Sequence, residues 1–196
     1  EIKGNIQDGR TALRIPLQKK EQLYGFGLNF QTVHQRGKIL NLHVDHYGGK
    51  DNGRTHAPVP FYVSSLGYGV FINSARYITV YAGSGALKDS PNAPVAKDRN
   101  TDKSWSSRPY SDAVSILVPA PGTEIYLFAG PTPMDVVRRY NLFCGGGTLP
   151  PRWGLGFTQR TQKLYTAEQV KQEADEFERQ GYPLDFIGLE PGWQSK

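Results

Sequence analysis

Up to about residue 131, hydrophobic residues occur in short runs that glycine- and proline-containing turns separate. The segment 38–45 shows the clearest alternation, because Leu40, Leu42 and Val44 lie on one face and mainly polar residues on the other. Such alternation predicts a strand with one buried face. Seven further segments are predicted as strands, at 11–17, 22–30, 59–65, 68–74, 77–84, 113–120 and 124–130. Regularly spaced strands joined by turns predict a β-sandwich or a barrel.

Three parts of this region depart from a simple strand pattern. The aromatic, glycine-rich segment QLYGFGLNF at 22–30 indicates a strand that another backbone approaches closely. Residues 46–58 are rich in glycine and aspartate and predict a long loop, and the polar stretch 88–112 predicts a loop or a weak edge hairpin. Loops of this length in compact domains are usually functional or disordered.

At Thr132 the hydrophobic period changes to that of a helix. Thr132 is placed as the N-cap of a helix over 133–143, and Asp135 stands where the acid of a capping box would lie. The three glycines 145–147 end the helix, and the proline-containing stretch 148–152 predicts a stiff connector. We therefore expect a β-sandwich domain over 1–147, with the helix leading out of it, and a second domain that begins at 148.

The second domain begins with the pattern of a βαβ unit. An apolar strand is predicted over 153–159, and a helix follows with Thr166 as N-cap, Gln169 closing a capping box and Gly181 at its end. The continuous apolar run 184–190 predicts a parallel strand that is buried on both faces. Two strands and one helix are the opening of a larger α/β domain.

Composition and charge exclude several classes of function. Hydrophobic residues make up 38% of the 196 residues, and no apolar run approaches the roughly 20 that a membrane span needs. The net charge of +5 is scattered among acids, so nucleic-acid binding is not predicted. The single cysteine, Cys144, excludes an intrachain disulfide and a multi-cysteine zinc site, and it is expected to be a packed residue.

No cofactor is predicted, because the sequence has no phosphate-binding loop, dinucleotide fingerprint or nucleophile elbow. The histidines around 43–46 are not predicted to bind a metal, since His34 and His56 lack diagnostic spacing to complete a ligand set. The polar start EIKGNIQDG is not a signal peptide and has no initiator methionine. A periplasmic, secreted or cytoplasmic location is therefore left open.

Three segments resemble one enzyme family. In order, they are YGFGLNF at 24–30, PVPFYVSSLGYGVFINS at 58–74 and YLFAGPTPMDVVRRYNLFCGGGTLPPRWGLGF at 126–157. They resemble the amino-terminal part of glycoside hydrolase family 31, the α-glucosidases and α-xylosidases. The resemblance implies a mutarotase-like β-sandwich followed by the first βαβ of a (β/α)8 barrel, and retaining hydrolysis of α-linked sugars. It also implies a pair of catalytic carboxyl groups, about 5 Å apart, on later barrel strands, so no residue of 1–196 is assigned as catalytic.

The resemblance points to Glu190 as a substrate-binding residue. Glu190 ends the second barrel strand, where the family commonly has an aspartate that holds sugar hydroxyls next to the scissile bond. The side chain is one methylene longer than aspartate, and Gly192 replaces a second acid of the family pattern. These departures leave α-glucosides, α-galactosides and α-xylosides open as substrates. The alternative role for Glu190 is an acid paired with a neighbouring lysine or arginine.

Four further residues are candidates for the substrate pocket. Trp193 is expected either to stack on a pyranose ring or to act as a packing plug. Arg160, with its neighbours Gln159 and Thr161, is expected to face the barrel mouth and either to support the acidic group or to form a surface ion pair.

The other two candidates lie in the loop 45–57. The resemblance implies that this loop reaches over the barrel mouth, so that Asp45 or His46 lines the pocket. The alternative is a solvated loop without a role in binding.

Two functions follow from these expectations. In the first, the chain is the amino-terminal part of an α-glycoside hydrolase, and its partners are a carbohydrate substrate and the rest of the barrel. In the second, the sandwich is a stand-alone carbohydrate-binding or scaffold domain without catalysis. The apolar strands predicted at 153–158 and 184–189 favour the first, because without neighbours they would form a hazardous exposed edge.

Overall fold

The computed structural model describes residues 1–29, 32–44, 55–85, 100–101, 110–191 and 193. The chain forms two compact units, Glu1–Gly145 and Gly146–Lys196. The described part of the first unit contains strands and one helix, in the order β1 Lys3–Gln7, β2 Arg10–Pro16, β3 Leu23–Gly25, β4 Lys38–Leu42, β5 Phe61–Ser64, β6 Tyr68–Asn73, β7 Ile78–Ser84, β8 Tyr110–Val118, β9 Glu124–Ala129 and α1 Pro133–Phe143.

The strands form two antiparallel sheets with orders β1-β2-β8-β7-β4 and β3-β5-β6-β9. Alternate residues of both sheets form one hydrophobic core. Its members include Leu13, Ile15, Leu40, Val80 and Ile116 from the larger sheet and Leu23, Tyr62, Val70 and Ile72 from the smaller. The predicted mainly β architecture with a sandwich is confirmed.

Several predicted strand boundaries are corrected. The segment predicted as a strand over 22–30 is a strand only over β3, because the backbone turns at Gly25, which has a φ of 112°. Val44 is exposed, although the alternation grouped it with Leu40 and Leu42, because β4 ends at Leu42. Strand β1 was missed, since all its residues are exposed and an edge strand of this kind carries no alternation.

The predicted close approach of a backbone to the glycine-rich segment is confirmed. The Phe26 amide donates to the Phe61 carbonyl at 2.8 Å, and the Leu28 amide donates to the Ala57 carbonyl at 3.1 Å. A side chain at Gly25 would bring its Cβ to 2.7 Å from the Phe61 carbonyl oxygen. The Phe26 ring is then free to turn into the core, where it stacks on Tyr62 with centroids 5.0 Å apart.

Helix α1 covers the outer face of the smaller sheet. Thr132 caps it, because its hydroxyl accepts the Asp135 amide, as the sequence predicts. Val136 is fully buried, and the Tyr140 ring stacks on Phe61 with centroids 3.8 Å apart. Val137, the next residue along the helix, is exposed, because its position on the helix turns it away from the sheet.

A buried carboxylate, Glu21, stabilises the turn that precedes β3. It accepts hydrogen bonds from the Ser64 hydroxyl at 2.6 Å, the Gln18 amide at 2.8 Å and the Tyr68 hydroxyl. Three donors satisfy the carboxylate and offset the cost of burying its charge. The network therefore fixes the turn against β5 and β6.

We expect the sandwich to lose stability in alkali because of Tyr62 and Tyr68. Burial raises the pKa of both phenols above the usual 10.0, and a hydrogen bond to Glu21 raises that of Tyr68 further. The folded state therefore holds these protons more tightly than the unfolded chain. Their stabilisation is complete below about pH 10 and falls as the pH rises further, by up to about 1.4 kcal/mol per pH unit for each tyrosine.

Denaturant unfolding between pH 8 and 11.5 measures this dependence. Tyr62→Phe should lower the slope above pH 10, because one buried phenol is then absent. Tyr77→Phe, at an exposed tyrosine of the same sandwich, is the matched control and should leave the slope unchanged. An unaltered slope in Tyr62→Phe would contradict the assignment.

The second unit contains β10 Thr158–Arg160, α2 Ala167–Arg179 and β11 Phe186–Gly188, preceded by a 3-10 turn at Arg152–Leu155. The strands are parallel, as predicted, with Gln159 opposite Ile187. The complete capping box predicted for α2 is also present, because the Thr166 hydroxyl accepts the Gln169 amide and the Gln169 side chain accepts the Thr166 amide. These elements match the start of a (β/α)8 barrel.

Two predictions for this unit are wrong. The apolar segment 153–159 is a strand only from Thr158, because the 3-10 turn follows directly after two prolines. Phe186 and Leu189 are exposed, so strand β11 is not buried on both faces. Within this unit, the described residues supply one neighbouring strand and one helix to cover it.

Candidate functional site

The carboxyl ends of the two parallel strands are held together by Thr161. The Thr161 amide donates to the Gly188 carbonyl at 3.0 Å, which extends the ladder by one bond beyond β10. Its buried hydroxyl accepts the Glu190 amide at 3.4 Å. The backbone of Glu190 is therefore fixed relative to the neighbouring strand, at the end where (β/α)8 barrels place functional side chains.

Arg160 and Glu190 form an ion pair at this end. Arg160 lies opposite Gly188 in the register, and its Cγ passes 3.5 Å from the place where a Cβ of Gly188 would stand. From this position the Arg160 guanidinium reaches the Glu190 carboxylate. The side chain of Glu190 is 28% exposed and that of Arg160 is 68% exposed. Ion pairing is one of the two roles predicted for each residue.

Gln159 does not share this face. Its side-chain amide donates to the Glu173 carboxylate at 3.1 Å, which places it against helix α2. The expectation that Gln159 faces the strand end with Arg160 is therefore wrong. Neighbouring residues of a strand point to opposite faces, so only one of these two can lie beside Glu190.

An aspartate at the other end of the strand pair was missed by the sequence reasoning. The Asp185 carboxylate accepts the Phe157 amide at 2.8 Å, and the Asp185 amide donates to the Phe157 carbonyl at 3.0 Å. A Cβ at Gly156 would overlap the Asp185 carboxylate, so the glycine makes the room for this clamp. The only local signal is an acid within the run 184–190, directly before β11, and a glycine two residues before the facing strand.

Of the three remaining predicted site residues, the structure describes only Trp193. Trp193 follows Glu190, its amide donates to the Glu190 carbonyl at 3.3 Å, and its side chain is 60% exposed. An exposed indole at this position is available to a ligand. Asp45 and His46 lie outside the described residues.

The side chains of Glu190 and Arg160 at this strand end can bind a polar ligand. The Glu190 carboxylate has lone pairs beyond those that face Arg160, so it can accept hydrogen bonds from hydroxyl groups of a ligand. Arg160 has five N–H donors and can also donate to ligand oxygens. Among the described residues, no three histidine, cysteine or acidic side chains are grouped to hold a metal ion.

Two family models match the chain. Residues 3–80 match the "Glycosyl hydrolase 31 N-terminal galactose mutarotase-like domain", and residues 147–196 match the "Glycosyl hydrolases family 31 TIM-barrel domain". Together the two matches cover more than half of the chain, in the order that the fold shows. The chain belongs to glycoside hydrolase family 31. The resemblance stated from the sequence is confirmed.

The curated relatives of this chain are much longer than the chain itself. An alpha-xylosidase, XylQ, of Lactiplantibacillus pentosus is 27% identical over 89% of this chain and 20% of its own length. Alpha-glucosidase 2 of Bacillus thermoamyloliquefaciens is 25% identical over 89% of the chain and 20% of its own length. The chain therefore spans about a fifth of the length of these curated relatives.

A solved structure shows the same fold. The GH31 dextranase of Flavobacterium johnsoniae, complexed with glucose, superposes with a TM-score of 0.74 over 97% of this chain and 21% of its own, at 23% identity. The fold of the family 31 chain is thus a mutarotase-like sandwich followed by the start of a TIM barrel. No helix in the described part of the chain has the length and apolar character that a membrane crossing requires.

Proposed function

We propose that the protein is a retaining α-glycoside hydrolase and that this chain supplies its sandwich domain and the first part of its barrel. The observation that carries the proposal is Glu190, a carboxylate fixed at the carboxyl end of a parallel strand within the segment that matches the family 31 barrel. Polar side chains at that end of a barrel strand form the active site in essentially every characterised TIM barrel.

In this proposal, Glu190 binds hydroxyl groups of the sugar next to the scissile bond. A carboxylate that accepts two hydroxyl protons forms charge-assisted hydrogen bonds, which hold a polyol in one orientation. Arg160 positions the carboxylate by its ion pair. Trp193, Asp45 and His46 are proposed to complete the wall of the pocket.

The proposed substrates are α-linked glucosides or xylosides, because curated relatives carry the names alpha-xylosidase and alpha-glucosidase. An α-galactoside is the third candidate, since Glu190 and Gly192 replace two acids of the family pattern that the sequence resembles. The longer arm of glutamate moves the carboxylate about one C–C bond further from the backbone. That displacement selects among sugars that differ in one hydroxyl.

The bond-breaking pair is proposed to come from the rest of the barrel. Retaining hydrolysis needs a nucleophile and an acid/base about 5 Å apart across the glycosidic bond. The match to the barrel covers residues 147–196, which contain its first two strands. Residues 1–196 alone are therefore expected to bind part of the sugar without cleaving it.

A panel of 4-nitrophenyl glycosides tests the activity. The whole protein should release 4-nitrophenol from the α-glucoside, α-xyloside or α-galactoside and leave the matched β-anomers intact. Proton NMR of the first-formed sugar should show the α-anomer, because retention preserves the configuration. Residues 1–196 expressed alone should release none. Cleavage of β-anomers only, a β product, or turnover by residues 1–196 would each contradict the proposal.

A further inference from the structure

The sandwich contains a cavity that the proposed function does not use. Its volume is about 280 Å³, and its lining includes Leu42, Pro58, Pro60, Ser74, Arg76 and Tyr77. Leu42 and Ile78 belong to β4 and β7 of the larger sheet, whereas the other described lining residues lie outside the strands, next to β4, before β5 and between β6 and β7.

The register of the larger sheet presents a bare aromatic ring to this cavity. Leu42 pairs with Ile78 in the ladder between β4 and β7, so the next pair outward is His43 and Tyr77. Their rings lie 3.8 Å apart at an angle of 30°. The tyrosine ring is thereby supported on one side by the imidazole, while its side chain remains 66% exposed. The imidazole of His43 therefore covers one face of the Tyr77 ring, and the rest of the side chain is open to a ligand.

We propose that this cavity is a carbohydrate-binding site that takes one pyranose unit of an α-linked oligosaccharide. The cavity is slightly smaller than the 300–1,000 Å³ usual for drug-sized ligands, so it suits a single ring with the rest of the oligosaccharide outside. The choice of α-linked sugars rests on the proposed function, whereas the location rests on the geometry.

The lining matches the two kinds of surface that a pyranose has. The C–H face of the ring packs on the Tyr77 ring and on the proline walls, which are apolar and rigid. The Arg76 guanidinium donates hydrogen bonds to the hydroxyl oxygens at the rim. The Ser74 hydroxyl beside it accepts the Arg76 amide at 3.2 Å and retains its own proton to donate. The described lining residues include no acid.

Affinity electrophoresis of the whole protein tests the site. The gels contain a soluble α-glucan, either dextran or amylopectin. Tyr77→Ala should raise the apparent Kd for the glucan about fivefold, since stacking on one aromatic ring is worth about 1 kcal/mol. Tyr77→Phe keeps the ring and should stay within about twofold of wild type. Arg76→Ala should weaken binding about threefold through its lost donors.

Tyr182→Ala is the matched control, because Tyr182 is an equally exposed tyrosine of the second unit. It should leave the migration unchanged, and every variant should hydrolyse 4-nitrophenyl α-glycosides at the wild-type rate. Unchanged retardation in Tyr77→Ala, or an equal loss in Tyr182→Ala, would overturn the site. If the whole protein hydrolyses no α-glycoside, but its migration is retarded by the glucan and Tyr77→Ala reduces this retardation, the proposed function is refuted and the site is supported.

Discussion

Glu190→Gln is expected to lower kcat/KM for α-glycosides about 100-fold in the whole protein. Each hydrogen bond to a charged group contributes about 1.5–3 kcal/mol, and the proposed carboxylate makes two to sugar hydroxyls. The amide keeps the shape but loses the charge and one acceptor, so about 3 kcal/mol of transition-state stabilisation is lost. Steady-state hydrolysis of a 4-nitrophenyl α-glycoside measures the change.

The matched control is Glu168→Gln. Glu168 is an exposed acid on α2 that pairs with Lys171 at 3.1 Å, so its replacement removes the same charge from the same unit. It should change kcat/KM by less than about twofold, because exposed ion pairs contribute little. An equally small effect at both positions would show that Glu190 does not contact the sugar.

Arg160→Gln distinguishes the two roles considered for Glu190, which are ion-pair partner of Arg160 and ligand of the sugar. If the carboxylate serves only as an ion-pair partner of Arg160, the two substitutions should have equal effects, since each removes the same pair. If Glu190 binds the sugar, Glu190→Gln should be at least about tenfold more damaging to kcat/KM than Arg160→Gln, which removes only the positioning contact.

Elements that depend on local chemistry were predictable from the sequence. Thr132 and Thr166 were both placed correctly as N-caps. The predicted capping box is complete at α2 with Gln169, whereas at α1 the Asp135 carboxylate accepts from the Thr132 hydroxyl and forms no box. The apolar stretch at 153–159 misled because its composition favours a strand, whereas the prolines before Arg152 impose a turn. Strand β1 has no buried side chain, and therefore leaves no periodic signal.

Contacts across the fold were not predictable from the sequence. The position of Glu190 at a strand end follows from the pattern, but its pairing with Arg160 depends on the parallel register, which sets Arg160 opposite Gly188. The clamp between Asp185 and Phe157 joins residues 28 positions apart. No local rule links such residues, because the parallel register that brings them together is set by the intervening helix.

Gly27→Ala is expected to destabilise the sandwich by about 3–5 kcal/mol, which would be exceptional for the addition of one methyl group. Gly27 has a φ of 92°, where a Cβ is strained by about 1–2 kcal/mol. The new Cβ would also stand 2.8 Å from the Val59 amide nitrogen and 2.9 Å from the Pro58 Cα, and closer still to the Ala57 carbonyl oxygen. All three are backbone atoms of the neighbouring segment 57–59, so no side-chain rotation relieves the overlap.

Gly9→Ala isolates the conformational part of that cost. Gly9 has a φ of 70°, and a Cβ there would meet no atom within 4 Å, so only about 1 kcal/mol should be lost. Denaturant unfolding of both variants gives the difference, which is the cost of separating the glycine-rich segment from residues 57–59. Equal losses of unfolding free energy in the two variants would show that residues 57–59 move away from the new Cβ at no cost in stability. A larger loss at Gly27 would explain why YGFGLNF has glycine on both sides of the buried Phe26, since each glycine meets a backbone that leaves no room for a side chain.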